Sequence, residues 1–272
     1  MKSIVLCEGP DDLWFIAYYL HKTAGWTVCK ANQVWHNYKA APLNDRQQVQ
    51  YLRCGDDSTA VWCVGGKDSF RPIVSVIFDR FIKDYSFDPI DAVVIVRDRD
   101  YSLIPEVLQE MQGWFPDGVT LANHKSTIWK DEVDGHEVAV HITPVVIPFD
   151  EKGAIESLLM ESVGERGEEE RIIVQEAEQY IERLISKNGN DRKYLSHQRL
   201  ITKAKYSSVI AVTNPDHSTA LFQNMVMACS WEKSPYISKH FGVVLSAITG
   251  ETLPAPAQPP LVLASSASAP SP

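Results

Sequence analysis

The sequence has no C-x-x-C pair, no apolar run long enough to cross a bilayer and no G-x-x-x-x-G-K-[ST] phosphate loop. Its five cysteines, at 7, 29, 54, 63 and 229, are an odd number without regular spacing, so neither a zinc site nor a disulfide framework is indicated. Unpaired thiols suit a reducing compartment. Ahead of Glu8 stand one lysine and a handful of apolar residues, too few for the apolar stretch of a signal peptide. The expected setting is the cytoplasm, with no membrane partner. Basic side chains are also in short supply: 26 Lys and Arg face 35 Asp and Glu, a net charge of −9. That balance excludes a generic basic nucleic-acid binder, but not an enzyme that reaches nucleic acid through bound metal and one local basic strip. Much of the acidity lies between Glu161 and Glu170, a run that reads as a solvated loop and helix start. The histidines are scattered, and none is assigned as a ligand.

What is present is enough apolar content, 44% of 272 residues, for one large domain or a domain with an appendage. The organising stretch is Ile4-Val5-Leu6-Cys7-Glu8-Gly9-Pro10-Asp11-Asp12. An apolar run ends in an acidic turn, and a helical pattern follows from about Asp11 to Lys22, with Asp11 or Asp12 placed to cap it. Glu8 has no capping duty to account for it. The arrangement recurs at Ala92-Val93-Val94-Ile95-Val96, which runs into Arg97-Asp98-Arg99-Asp100 and a helix from about Leu103 to Trp114.

Between these stretches, Thr27-Val28-Cys29 is a candidate short strand and Asn44 to Leu52 a candidate helix. Ala60 to Val64 reads as a buried strand ending in Gly65-Gly66-Lys67-Asp68. Two glycines there imply positive φ or a close backbone approach, and Lys67 is the candidate for contacting a phosphate. A long helix is expected from Ser69 to Tyr85, and another central strand from Val138 to Ile147. After Pro148, a turn and helix bring Glu156 back toward the same sheet edge. Helices follow at about 169–186, 194–205, 217–229 and 236–248. Arg192, Ser196, Arg199 and Lys203 are spaced by four, three and four, forming one basic stripe. Arg192 and Arg199 in it are candidates for gripping a phosphate backbone. From Glu251 onward Pro, Ala and Ser dominate, a composition expected to stay flexible. The division is therefore an α/β core over 1–160, a helical region packing on it over 161–250, and a tail over 251–272.

If the strands before Glu8 and Asp98 lie in one parallel sheet, their carboxyl ends share a crevice where such sheets place their sites. Glu8, Asp12, Asp98, Asp100 and Glu156 would then surround a hard divalent cation, Mg2+ or Mn2+, the usual counter-charge for clustered carboxylates. Two such ions can activate water, stabilise charge on a phosphate and assist the leaving oxygen. A nearby lysine would stabilise the added negative charge.

These motifs resemble the Toprim domain. Glu8-Gly9-x-x-Asp12 after the first strand, the glycine turn at 65–66 and Asp98-x-Asp100 are similar to the rRNA maturases and the OLD-type nucleases. Gly65 to Phe70 and Gly153-x-x-Glu156-x-Leu158-Leu159 are similar to a stand-alone OLD-like group, some of it linked to phage defence. The resemblance covers roughly residues 1 to 215 and rests on a dozen positions. It implies an open, mostly parallel α/β sheet with flanking helices and a helical C-terminal appendage. It also implies that Glu8 is a metal ligand or acid–base group, that Asp98 and Asp100 bind magnesium, and that Asp12 and Glu156 complete the acidic set. A catalytic lysine would be Lys203 or Lys205. Arg99 departs from the small residue often found between the two aspartates. No ATPase domain is attached, so energy-dependent control would come from a separate ATPase partner. The leading expectation is a metal-dependent nuclease acting on DNA or structured RNA. A non-catalytic Toprim module binding nucleic acid or an ATPase, and a phosphotransferase or phosphatase acting on a small substrate, stand as the alternatives.

Overall fold

Two continuous apolar runs, each buried on both faces, set the architecture: β1 (Lys2–Cys7) and β5 (Ala92–Asp98) lie side by side and parallel. The computed structural model describes residues 1–34, 40–83, 90–116, 118–188, 193–218 and 220–250. The remaining strands are β2 (Thr27–Val28), β3 (Gln48–Cys54), β4 (Asp57–Cys63), β6 (Thr127–Val133) and β7 (His136–Ile147). They form one seven-stranded sheet in the order β2-β3-β4-β1-β5-β7-β6. The central strands β4, β1, β5 and β7 run parallel, while β3 pairs antiparallel to β4 and β6 antiparallel to β7. The fold is thus α/β with a mixed, mostly parallel sheet.

Side chains alternate across this sheet as the pleat requires. Val5, Cys7, Val94, Val96, Val145 and Ile147 enter one core layer, and Ile4, Leu6, Val93, Ile95 and Val146 the other. The helices are α1 (Pro10–Ala24), α2 (Phe70–Ile77), α3 (Ile104–Gln112), α4 (Ile155–Gly164), α5 (Glu168–Asn188), α6 (Gln198–Thr213), α7 (Phe222–Ala228) and α8 (Pro235–Thr249). The first layer is closed by α1, α4 and α8, the second by α2 and α3. Because β4 and β5 lie on opposite sides of β1, the strand order reverses there. That reversal opens a crevice beyond the strands' carboxyl ends.

Helix α1 is started by Pro10, whose fixed φ and missing N–H suit a first helical position. It stops at Gly25, which takes the left-handed conformation (φ 70°). The long helix expected over 69–85 is α2 continued by a wider turn at Phe78–Ile82, and its remainder lies outside the described residues. The helix expected at Asn44–Leu52 is instead a turn followed by β3. The Asn44 side chain accepts from the Arg46 N–H (3.0 Å) and stops a helix from forming, and Gln48 onward pairs with β4. The hairpin β6–β7 was not read from sequence, although its Asp134-Gly135 turn, both at positive φ (52° and 80°), carries the usual signal.

The C-terminal helices pack on the core, and α8 goes further. It contacts β1, β4, β5 and β7 directly, and Phe241, Val244 and Ile248 are fully buried in the same layer as Phe15 and Val94. The boundary at residue 160 therefore divides the sequence but not the hydrophobic core. The flexible tail expected from residue 251 lies outside the described residues. Because Phe241 is integral to the sheet's cover, Phe241→Ala should cost about 3–5 kcal/mol in a single denaturant transition. Two separate transitions, or no loss, would show that 161–250 is energetically independent of the sheet.

Candidate functional site

The carboxyl ends of β1 and β5 and the first turns of α1 and α4 open into one cleft of about 390 Å3. Glu8 and Asp12 line it from the β1–α1 junction, Asp98 and Asp100 from the end of β5, and Glu156 from the start of α4. All five acidic residues singled out in the sequence therefore line one cleft, although the chain separates the first from the last by 148 positions.

Backbone contacts fix the positions of four of them. The Gly66 N–H donates to the Glu8 carbonyl (3.0 Å), so the glycine turn after β4 props the turn after β1. Gly65, one position earlier, takes φ 83° and packs against Arg46, which a Cβ there would meet at 2.9 Å. Asp12 accepts the Gly9 N–H (2.8 Å), so it does cap α1, and its carboxylate lines the cleft as well. Asp98 accepts the Ile155 N–H at the start of α4 (3.1 Å). Asp100 sits at φ 52°, a sparsely populated conformation for a non-glycine residue, held by its N–H donating to the Gly153 carbonyl (2.7 Å). Gly153 is irreplaceable there, since a Cβ would lie 2.3 Å from the Ser157 hydroxyl.

Burial and mutual repulsion raise the carboxylates' proton affinity. Asp12 is pushed up to about 7 by burial, partly opposed by its bond from Gly9, and then by Glu8, Glu156 and Asp11. Asp98 is raised well above the usual carboxylate range by burial and by Asp12, Glu8, Glu156 and Asp100. Glu8 is raised by burial and by Asp100, with Arg97, Arg199 and Lys67 pulling the other way. Its Oε2 is buried with no hydrogen-bond partner. The positive ends of α1 and α4 offset part of this repulsion.

Across the cleft, α6 presents Arg199 and Lys203, with Gln198 and Thr202 between and beside them. The Lys203 ammonium lies 2.5 Å from Glu156 Oε1 and 3.4 Å from Asp11 Oδ2. Lys205, the other lysine candidate, does not line the cleft. It pairs instead with Glu182 (3.0 Å) and Glu178 (3.8 Å) on α5. Lys67 is exposed beside the glycine turn and reaches Glu8 only through its charge. Arg192 lies outside the described residues. Since α6 begins at Gln198, Ser196 lies ahead of the helix, and among the described residues Arg199 and Lys203 are what remains of the stripe. Asp11, Gln198 and Thr202 were not assigned to the site from sequence. The i, i+4 spacing of Gln198 with Thr202 and of Arg199 with Lys203 was the available signal.

The donor set suits a hard divalent cation: it is all oxygen, it is rich in negative charge, and it includes a buried carboxylate oxygen without a partner. Among the described residues no three His, Cys, Asp or Glu side chains are already drawn into a coordination shell. Like charges spread around a cleft need a cation to draw them together. Also among the described residues, no helix is long and apolar enough to cross a membrane.

Comparison with known proteins adds little on activity. No curated protein matches the chain. A crystal structure of the hypothetical protein PH0156 from Pyrococcus horikoshii OT3 is similar over 89% of this chain and 99% of that one, at 14% identity and a TM-score of 0.44. A family model described as "Protein of unknown function (DUF3226)" matches residues 2–246. With nearly its whole described length covered by that model, the chain belongs to the DUF3226 family.

Proposed function

We propose that this protein is a divalent-metal-dependent nuclease of Toprim-like build, cleaving phosphodiester bonds of DNA or structured RNA. The observation that carries the reading is the convergence of Glu8, Asp12, Asp98, Asp100 and Glu156 on one cleft, opposite Arg199 and Lys203. Magnesium or manganese held there would supply a water activated near neutral pH and neutralise charge on the phosphate. Asp98 and Asp100, at the end of β5, would be the principal ligands, with Asp12 and Glu156 completing the set. Glu8, whose proton affinity is raised above the ordinary carboxylate value by burial and by Asp100, would take the proton of the attacking water at its unpartnered Oε2. Lys203 would stabilise the negative charge added to the phosphate, and Arg199 would position the backbone. Five free cysteines support a cytoplasmic setting. Action in phage defence, with a separate ATPase partner, rests on the likeness of these motifs to the OLD-like group.

The test is incubation of the protein with plasmid, single-stranded DNA and tRNA in magnesium or manganese. Cleavage is expected, falling by about a hundredfold or more in Glu8→Ala and in Asp98→Ala. Retarded migration without cutting, unaffected by either substitution, would replace the nuclease with a binding module. Phosphate released from small esters instead would mark a phosphatase.

The cluster's charge gives a second test that needs no substrate. Asp12 binds its proton more tightly when folded (about 7) than in an unfolded chain, and Glu8 and Asp98 shift the same way. Such groups stabilise the fold at low pH, and that stability is lost as pH rises through the folded value. In chelator, the melting temperature should therefore fall between about pH 5 and pH 8. Asp12→Asn, which keeps an oxygen for the Gly9 N–H, should flatten the fall, and magnesium should reverse it. A melting temperature that rises across this range would contradict the buried, unneutralised cluster.

A further inference from the structure

Lys203 stands where a cation's charge is needed. Its ammonium is 2.5 Å from Glu156 Oε1, on a carboxylate only 9% exposed, and 3.4 Å from Asp11 Oδ2. Glu156 in turn repels Asp12 and Asp98, so the ion pair screens the whole acidic set in the absence of metal. The lysine side chain is 38% exposed, and its flexible four-carbon stem can carry the ammonium to another position in the cleft. A divalent ion that took Glu156 Oε1 as a ligand would lie within a few ångströms of the same ammonium, where two like charges in a half-buried cleft repel strongly. The two cannot both hold that oxygen.

We propose that Lys203 is a built-in counter-ion that competes with the divalent cation for Glu156, so that cation binding releases its ammonium into the cleft. This rests on the metal-dependent reading above and adds an order of events to it. The lysine guards the carboxylates until the cation arrives, then becomes available to a phosphate oxygen. Linkage makes the competition reciprocal: whatever the Lys203–Glu156 pair contributes to the cation-free state is subtracted from cation affinity.

The test is titration of the full chain with magnesium or manganese alone, followed by calorimetry and by thermal shift. Lys203→Gln and Lys203→Met, which remove the charge from a partly exposed position, should bind the cation about tenfold more tightly than wild type. Each should also melt lower than wild type in chelator and gain more on adding metal. Lys205→Gln, which alters a lysine turned away from the cleft, should leave affinity unchanged. Nucleic-acid cleavage by Lys203→Gln should fall even as its metal affinity rises, a divergence that a purely structural lysine would not produce. Equal or weaker cation binding by both Lys203 variants, with wild type binding normally, would overturn the competition and leave the metal site standing. Absence of cation binding in wild type and variants alike would sink the metal-dependent reading and the counter-ion with it.

Discussion

Repulsion among carboxylates is the force that the rest of this molecule must accommodate. At an effective dielectric of 20, two like charges 4 Å apart oppose each other by about 4 kcal/mol, and here six acidic residues line one cleft. The sheet order makes the crowding unavoidable. β1 and β5 are parallel neighbours, each ends in acidic residues, and the reversal of strand order between them leaves room above for nothing but side chains and what they bind. The fold answers with what backbone can supply: the Gly9 N–H on Asp12, the Ile155 N–H on Asp98, and two helix N-termini aimed into the same space. It answers once more with Lys203. These contacts hold the carboxylates in position and leave them short of positive charge, as the raised proton affinities of Glu8, Asp12 and Asp98 record.

The parts of this arrangement that were legible in sequence are those where a strand's character is independent of its neighbours. Ala92 to Val96 is apolar at every position, and only a strand buried on both faces uses such a run. Each of the two acidic turns follows directly on its strand, so Glu8 and Asp98 could be paired before any topology was known. β3 was not legible in the same way. Gln48-Val49-Gln50-Tyr51 alternates as a strand should, but the polar residues ahead of it resemble a helix start until the Asn44 turn is seen. The role of α8 was equally hidden. An amphipathic helix announces that one face is buried, not what buries it, and only the assembled core shows Phe241 and Val244 lying on the sheet.

Lys203 and Lys205 mark the limit more sharply. Two residues along a helix are rotated by about 200°, so one lysine faces the cleft and the other must face away, but composition cannot say which. The answer depends on where α6 begins and on which of its faces meets α4 and α5. Moving the helix start from Tyr194 to Gln198 also removes Ser196 from the helix, and among the described residues the basic stripe reduces to Arg199 and Lys203. The positive charge facing the acidic cluster is therefore local, one helix face rather than a surface. That agrees with a chain whose net charge is −9.

That locality bears on how a phosphate could reach this cleft at all. A phosphodiester approaching six carboxylates is repelled, and with Lys203 engaged by Glu156 and Asp11 the facing cation left uncommitted among the cleft's basic side chains is Arg199. One guanidinium does not outweigh the cluster. Long-range attraction by a basic surface is not on offer either, because the chain as a whole is acidic. For a phosphodiester to enter, as the proposed function requires, the sign of the cleft would have to change first, and what changed it would have to bind oxygen ligands and carry more than one positive charge. A nucleic-acid-binding module without metal would have no such requirement. It would be better served by replacing Asp98 and Asp100 with the basic residues that phosphate contacts ordinarily use.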